Sequence, residues 1–262
     1  MNWSNKLNIK TMKKVFLIYI YIILSSILYA SKLDSLFQQA NTFYAKGDYQ
    51  KAIKLYDSII KKGYVSPYLY YNLGNAYYKL GKFGYAILNY EKGLLYTPYD
   101  ENLRYNLELA KAHTIDKIEE IPEFFLKKWY RSFVNLVPSN TWAIISLSFF
   151  ILFITCIIFL ITYETKIKTL LFNIAILSII FSIISFINAG KRKNFITAKK
   201  YAIIVVPSVN VKSTPNEYGN DVFILHEGTK VEIIESIGNW KNIKISDGNE
   251  GYLPLNTIEI IE

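Results

Sequence analysis

The sequence repeats itself at a spacing of 34 residues between positions 40 and 90. Matching places in the two copies carry mostly small or aromatic residues. These are Ala40, Gly47, Asp48, Tyr49, Ala52, Ile53 and Tyr56 in the first copy, and Gly74, Gly81, Lys82, Phe83, Ala86, Ile87 and Tyr90 in the second. Small residues at this period let two antiparallel helices approach closely, while the aromatic residues fill the space between copies. The pattern therefore predicts stacked helical hairpins.

The second copy resembles the tetratricopeptide repeat at nearly every signature position: Tyr70, Leu73, Gly74, Tyr77, Ala86, Tyr90 and Pro98, with Gly93 in place of the usual Ala. Within residues 31–112 the pattern predicts two repeats of two helices each and a capping helix at 101–112. The resemblance implies a module that binds other proteins.

A binding groove is expected on the concave face, because the first helix of each repeat lines that face. By register the candidate site residues are Phe37, Asn41, Tyr44, Tyr71, Asn75, Tyr78, Lys79, Asn102, Tyr105 and Asn106. Aromatic rings beside amide groups suit an extended peptide. The alternative is structural, since Asn and Tyr are ordinary at several of these positions. Binding of a C-terminal carboxylate is not expected, because Phe37, Asn102 and Asn106 stand where that variant has basic residues.

The first apolar block, residues 15–30, follows four lysines. Sixteen residues at ~1.5 Å each fall short of a ~30 Å hydrocarbon core. Small residues close the block, so residues 1–30 are predicted to be a secretory signal cleaved after Ala30. An uncleaved anchor is the alternative, because Leu28 is unusual at its position before the cleavage point.

Two further blocks, residues 142–163 and 169–189, contain no charged residue and are long enough to span a bilayer. The short connection between them predicts a transmembrane hairpin, so the soluble regions on either side face one compartment. Two rules disagree on which compartment. The signal places them outside the cytoplasm, in the periplasm or at the cell exterior, whereas the lysines and arginines flanking the hairpin favour the inside. We follow the signal, because the first segment usually sets orientation.

Residues 113–141 are predicted to be a charged linker and an amphipathic helix before the hairpin. Apolar residues (Phe125, Trp129, Phe133, Leu136 and Val137) fall on one helical face, and basic residues fall on the other. Such a helix lies in a membrane interface. The alternative is a helix packed on the repeats.

Residues 198–262 change to short alternating segments separated by turn residues, which predicts a small β-barrel. Its core should include Trp240, Ile243 and Ile245. The segment resembles the bacterial SH3-like family at 210–215, 225–229, 238–240, 247–248 and 251–252. Lys212 and Tyr252 replace the Arg and Trp usual in that family. The acidic aromatic loop for proline-rich ligands has no counterpart.

Composition excludes several classes of function. Four of the +9 formal charges lie in the predicted signal, and no basic stripe with interleaved aromatics remains, so no nucleic acid partner is expected. The single cysteine, Cys156, lies in a predicted membrane helix, so no Cys-based metal site is expected. His113 and His226 have no Cys and no Ser-containing nucleophile elbow near them in sequence. We therefore predict no catalytic residues, metal or cofactor, and no enzyme activity.

The complete order of segments resembles the BatE family of the bacterial aerotolerance (Bat) operon. That resemblance implies a multidomain protein of the cytoplasmic (inner) membrane, with a tetratricopeptide array, a two-helix hairpin and an SH3-like barrel. It further implies a scaffold linked to oxygen or stress tolerance that works with von Willebrand factor A-domain membrane proteins and a MoxR-type ATPase. The alternative is a cell-wall sensor whose barrel binds peptidoglycan while the repeats recruit a wall enzyme.

Overall fold

The structure is a computed structural model that describes residues 33–118, 124–162, 168–197 and 200–261. The predicted signal at 1–30 and its cleavage point lie outside the described residues, as does most of the turn between the two apolar helices. Within the described ranges the chain forms a helical repeat array, two long apolar helices and a C-terminal antiparallel sheet.

Five helices build the repeat array, as the 34-residue period predicts. They are α1 (33–45), α2 (Tyr49–Lys61), α3 (Pro67–Lys79), α4 (Phe83–Tyr96) and α5 (Glu101–Ala112). Three of them begin at side-chain caps: Asp48, Ser66 and Asp100 each accept a hydrogen bond from the backbone N–H three residues later. Gly47 and Gly81 turn the chain inside each repeat with φ of 79° and 72°, a conformation that favours glycine.

Three more helices follow: α6 (Phe125–Asn135), α7 (Ser139–Thr162) and α8 (Lys168–Thr197). The last two pack antiparallel. Ser146 and Ser182 each donate to the other's backbone carbonyl at 2.9 Å, and Phe149 stacks on Phe181. Only 11% and 22% of their most apolar windows is buried inside the chain, which is compatible with a membrane hairpin. Helix α8 continues past the predicted end at 189, because the basic residues there end the apolar run without ending the helix.

Seven strands form the C-terminal sheet: β1 (Lys200–Ile204), β2 (Ser208–Lys212), β3 (Asp221–His226), β4 (Lys230–Ile237), β5 (Trp240–Lys244), β6 (Glu250–Pro254) and β7 (Ile258–Ile261). They are antiparallel in the order β3-β2-β6-β5-β4-β1-β7. Among the described residues β3 pairs only with β2 and β7 only with β1, so the sheet is not closed.

The sheet nevertheless curls around one core, because Leu225 near one edge and Ile258 at the other belong to the same buried cluster. Ile243 and Ile245 are buried in it, as predicted. Trp240 is only half-buried and lines a surface cavity instead.

The sheet also packs on the repeats. Ile203 and Ile261 share a buried cluster with Ile87 of α4 and with Leu103 and Leu107 of α5. Two glycines permit this approach. A Cβ at Gly84 would lie 2.9 Å from the carbonyl oxygen of Ile204, and one at Gly228 would lie 2.9 Å from Ile87 Cδ1. We call the surface of α4 and of the linker at 114–118 that packs on the sheet the docking face.

Candidate partner-binding groove

The first helices of the repeats border a cavity of about 270 Å³, whose lining contains no residue of the sheet. Its lining residues come from α1, α3, α4 and α5: Tyr44, Tyr71, Asn75, Tyr78, Lys79, Tyr90, Asn106 and Leu109. We call this surface the groove. Four of its eight residues are tyrosines, so the lining combines apolar ring surface with hydroxyl groups that can donate or accept hydrogen bonds.

A hydrogen-bonded ladder of Tyr and Asn recurs with the 34-residue period, and its second rung lines the groove. In the first repeat Asn41 Oδ1 accepts from Tyr56 Oη at 2.6 Å and from Asn72 Nδ2 at 3.1 Å. The equivalent atoms return one period later. Asn75 Oδ1 accepts from Tyr90 Oη at 2.7 Å and from Asn106 Nδ2 at 2.8 Å. These amides therefore hold neighbouring helices in register, because each satisfies two donors at once.

Burial raises the pKa of the two tyrosine hydroxyls in the ladder. Desolvation raises the pKa of Tyr56 to about 12, and it raises the pKa of Tyr90 further above the ordinary value. The pKa of Tyr44, at the other side of the groove, is also raised, first by desolvation and then by its neighbours Tyr49 and Tyr71. The hydroxyls of Tyr44, Tyr56 and Tyr90 are therefore neutral at physiological pH, as an unshifted tyrosine hydroxyl also is.

One end of the groove carries an aromatic cluster. The ring of His113 stacks on Phe83 with centroids 4.3 Å apart, and Tyr78 meets both rings edge-on. Tyr78 Oη and His113 Nε2 share a hydrogen bond of 3.2 Å. Tyr78 is thus held in place from two sides, and His113 belongs to the groove rim and not to a free linker.

Six of the ten predicted site residues line the cavity, and four do not. Phe37 is half-buried with its ring 5.9 Å from that of Tyr56, and Asn41 belongs to the ladder. Asn102 and Tyr105 are exposed on α5 outside the cavity. The prediction omitted two lining residues, Tyr90 and Leu109. Leu109 lies three positions after Asn106 on the same side of α5, a spacing that could have identified it.

The docking face is closed by polar contacts as well as by apolar packing. Glu227 Oε1 accepts from the backbone N–H of Gly84 at 2.8 Å, near the start of α4, where the helix dipole favours a carboxylate. Lys230 Nζ lies 2.7 Å from Glu91 Oε2 and 4.9 Å from the centroid of the Tyr201 ring. Both polar contacts join the sheet to α4.

The linker contributes Asp116, whose carboxylate receives three contacts from the sheet. It accepts from His226 N at 2.7 Å and Thr229 Oγ1 at 2.6 Å, and its second oxygen lies 2.7 Å from His226 Nδ1. Burial raises the pKa of Asp116, but the hydrogen bonds from Thr229 and His226 outweigh that effect and lower it overall. The ionised carboxylate is therefore the form that the docked sheet binds.

This cluster is not arranged for nucleophilic catalysis. A hydroxyl nucleophile needs a hydrogen bond to the histidine that activates it, whereas the Thr229 hydroxyl donates to Asp116. Among the residues that the structure describes, no group of three or more His, Cys, Asp or Glu side chains could hold a metal ion. The arrangement serves to fasten the sheet to the linker.

Comparison with known protein families identifies one region of the chain. Residues 67–100, which contain α3, α4 and the turn after them, match the tetratricopeptide repeat family. That match covers 34 of 262 residues and includes Tyr71, Asn75, Tyr78, Lys79 and Tyr90 of the groove. A tetratricopeptide repeat is a non-catalytic unit that suggests a scaffold for protein–protein interaction, and the groove lies on this repeat and its two neighbours.

Proposed function

We propose that this chain is a non-enzymatic, membrane-anchored scaffold whose groove binds an extended segment of a partner protein. The main support for this proposal is the difference between the docking face and the groove of the second repeat. The docking face is covered by the chain's own sheet, whereas the tyrosine-lined groove is open. An extended peptide fits such a surface, because its backbone needs hydrogen bonds and its side chains need apolar contact.

The groove is tested by replacing two of its rings, Tyr71→Ala with Tyr78→Ala. If both rings are anchors, their loss should cost about 2 to 4 kcal/mol of binding free energy, a ~30- to 1000-fold loss of affinity. Partners are captured from solubilised membranes with the wild-type chain, and their dissociation constants are then measured for both proteins. The matched control is Tyr68→Ala with Tyr218→Ala, because these rings are 73% and 98% exposed outside the groove.

A second pair of variants separates binding from folding. Tyr78 packs on Phe83 and His113, so its truncation to alanine also removes contacts within the repeats. Tyr71→Phe with Tyr78→Phe keeps both rings and removes only the hydroxyls. Full partner affinity in the alanine variant, with an unchanged helical melting transition, would show that the groove is not the binding site.

The resemblance to the BatE family supports a more specific role. It suggests von Willebrand factor A-domain membrane proteins and a MoxR-type ATPase system as partners, and a link to aerotolerance or stress. The C-terminal sheet, with its seven antiparallel strands curled around one core, is here assigned to the SH3-like class. Capture of a von Willebrand factor A-domain protein by the wild type, and its loss in the groove variant, would support this assignment.

Both soluble regions are proposed to lie outside the cytoplasm, in the periplasm or at the cell exterior. The support is the apolar block at 15–30 with its preceding lysines, which should export the repeats. Protease added to spheroplasts should then digest the repeats and the sheet. If both regions survive while a known periplasmic protein is digested, the orientation is reversed.

A second candidate function is a cell-wall adaptor, which the cavity beside Trp240 favours. This cavity of about 580 Å³ is lined by Trp240, Pro254 and Leu255 together with Asn239 and Asn256. An aromatic ring beside amide groups suits a sugar chain as well as a peptide. Sedimentation with purified peptidoglycan, lost in Trp240→Ala, would favour this function, and neighbouring genes for wall hydrolases or synthases would support it independently.

A further inference from the structure

Helix α6 exposes several large apolar side chains along one side. Phe125, Leu126 and Trp129 are 68%, 52% and 67% exposed, and Leu136 just after the helix is 61% exposed. The rings of Trp129 and Phe133 stack along the same side with centroids 6.3 Å apart. A soluble protein rarely leaves a contiguous apolar surface of this kind uncovered.

The structure fixes this helix at one end of the apolar hairpin. Tyr130 Oη donates to Asn188 Oδ1 of α8 at 2.9 Å, and Trp142 Nε1 of α7 donates to the Val134 carbonyl at 2.9 Å. Lys191 Nζ lies 4.7 Å from the centroid of the Tyr130 ring. The exposed apolar face of α6 therefore lies at the end where α7 begins and the apolar run of α8 stops.

The same end of the hairpin is strongly basic. Within their described bounds α6, α7 and α8 contain no acidic residue, while Lys127, Lys128, Arg131, Lys191 and Lys193 lie on α6 and the end of α8. Arg192 is buried and donates to the Leu95 carbonyl at the end of α4. A positive surface next to an exposed apolar surface is complementary to the headgroup layer of an anionic bilayer.

We propose that α6 lies in the headgroup layer of the membrane, with its apolar face toward the acyl chains and its lysines on anionic phospholipid headgroups. The proposal rests on the membrane hairpin of the proposed function and adds the lipid class that the soluble region contacts. Tyr99 Oη also donates to the Ser132 carbonyl of α6 at 2.8 Å. Together with Arg192, this contact holds the repeat array close to the lipid surface.

Continuity identifies a bilayer as the occupant of this face. The exposed apolar side chains of α6 are followed directly along the chain by those of α7, beginning with Ile144 and Leu147, which are 64% and 59% exposed. A protein partner could cover the apolar face of α6 only up to the start of α7, where the lipid surface begins, whereas a bilayer covers both helices. The basic residues on α6 and at the end of α8 also offer a reason why the two orientation rules disagree. In this proposal they bind headgroups, so their number does not report orientation alone.

Spin labels in nanodiscs of phosphatidylcholine and phosphatidylglycerol test the position of α6. Cys156 is the only cysteine, so a Cys156→Ala background accepts single labels at Leu126→Cys on α6, Phe150→Cys in α7 and Tyr218→Cys in the sheet. Labels in the bilayer relax with oxygen, and labels in water relax with a soluble nickel chelate. The labels at 126 and 150 should favour oxygen, and the label at 218 should favour nickel.

The lipid class is tested with spin-labelled phosphatidylglycerol and spin-labelled phosphatidylcholine at the protein boundary. Phosphatidylglycerol should associate more strongly with the full chain, and Lys127→Gln with Lys128→Gln should reduce this preference by up to about fivefold for each lysine. Salt at about 1 M should reduce it too, because the Debye length falls to ~3 Å. The control is Lys61→Gln with Lys62→Gln, two exposed adjacent lysines at the end of α2.

Each contrary result would overturn a different part of the proposal. A label at 126 that relaxes with nickel, while the label at 150 relaxes with oxygen, would place α6 in water and overturn the proposal. An equal association of the two lipids, or a preference that the α6 lysine variant leaves unchanged, would overturn the role of the lysines. Nickel accessibility at 150 would instead overturn the membrane hairpin of the proposed function.

Discussion

The second helices of the two repeats, α2 and α4, occupy equivalent places but meet different surroundings. On α4 the docking face carries Gly84, Leu88 and Leu95, and the sheet packs there. Their counterparts 34 residues earlier, on α2, are Gln50, Lys54 and Lys61, all exposed. One repeat unit can therefore bear either a solvated back or a docking face. The two helices differ in this respect at these three positions.

A glycine is needed at position 84 because the sheet closely approaches the backbone of α4. At Gly84 an added Cβ would meet Glu227 Cγ at 2.6 Å and the Ile204 carbonyl oxygen at 2.9 Å. A backbone oxygen cannot move aside as a flexible side chain can. Gln50 faces no such neighbour, so the first repeat tolerates a long polar side chain at the same place. The second repeat is therefore specialised for contact with the sheet.

The largest effect on stability is expected when Leu88 of α4 is replaced by lysine, the residue at the equivalent position 54 of α2. Leu88 is 5% exposed, so Leu88→Lys places an ammonium group in a buried site, and the carboxylate three residues on, Glu91, is already paired with Lys230. This should destabilise the docked sheet by about 3 kcal/mol or more. Hydrogen exchange of the sheet and of α4 in the full chain measures the loss of protection.

The reciprocal change, Lys54→Leu, is the matched control. Lys54 is exposed on α2, so its replacement should alter the free energy of unfolding by no more than about 0.5 kcal/mol. Equal and small effects of the two substitutions would contradict the comparison between the helices.

A smaller effect is expected at Asp116, and it depends on pH. The folded pKa of Asp116 is lowered, so its ionised form stabilises the docked state at pH above the unfolded value of 3.8. As the pH falls through the lowered folded pKa, the carboxylate is protonated and this stabilisation is lost. Thermal midpoints measured from pH 6 to pH 3 should therefore decrease more steeply for the wild type than for Asp116→Asn.

At neutral pH the same variant gives a direct estimate of the contact. Asp116→Asn should cost about 1 to 3 kcal/mol, because hydrogen bonds to an ionised group are lost or weakened. Protection of residues 226–229 from hydrogen exchange should fall most. Unchanged protection there would show that the linker does not fasten the sheet.

The sequence predicted those elements whose signal is local and periodic. The 34-residue period located the repeat helices, and uninterrupted apolar length located α7 and α8. The curled sheet was predicted to be a closed barrel, because turn residues such as Gly238 and Gly248 locate strands but do not say which edges pair. The described strands β3 and β7 remain separate, although both contribute to one core.

The docking face was missed even though its signal was present. Comparing the two copies position by position would have shown apolar residues on α4 where α2 has Gln50, Lys54 and Lys61. In the groove the sequence signal was recognised, but its meaning was ambiguous. Asn41 and Asn75 recur with the repeat, but periodicity alone cannot tell a ligand contact from a ladder that holds helices in register. The hydrogen bonds to Tyr56 and Tyr90 assign both amides to the ladder.

The smallest effect on stability is expected at Lys79, the one charged residue among the described residues that line the groove. Its side chain is exposed, and Lys79→Gln keeps most of its length, so the free energy of unfolding should change by less than about 0.5 kcal/mol. Binding is expected to respond differently from folding, because none of the other described lining residues of the groove is a Lys, Arg, Asp or Glu. For a partner segment with an acidic side chain near Lys79, the dissociation constant should rise and its salt dependence should weaken, as measured by titration at two ionic strengths. A stability loss as large as that of Asp116→Asn would contradict the comparison, because it would show that the groove, like the docking face, is built into the packing of the repeat.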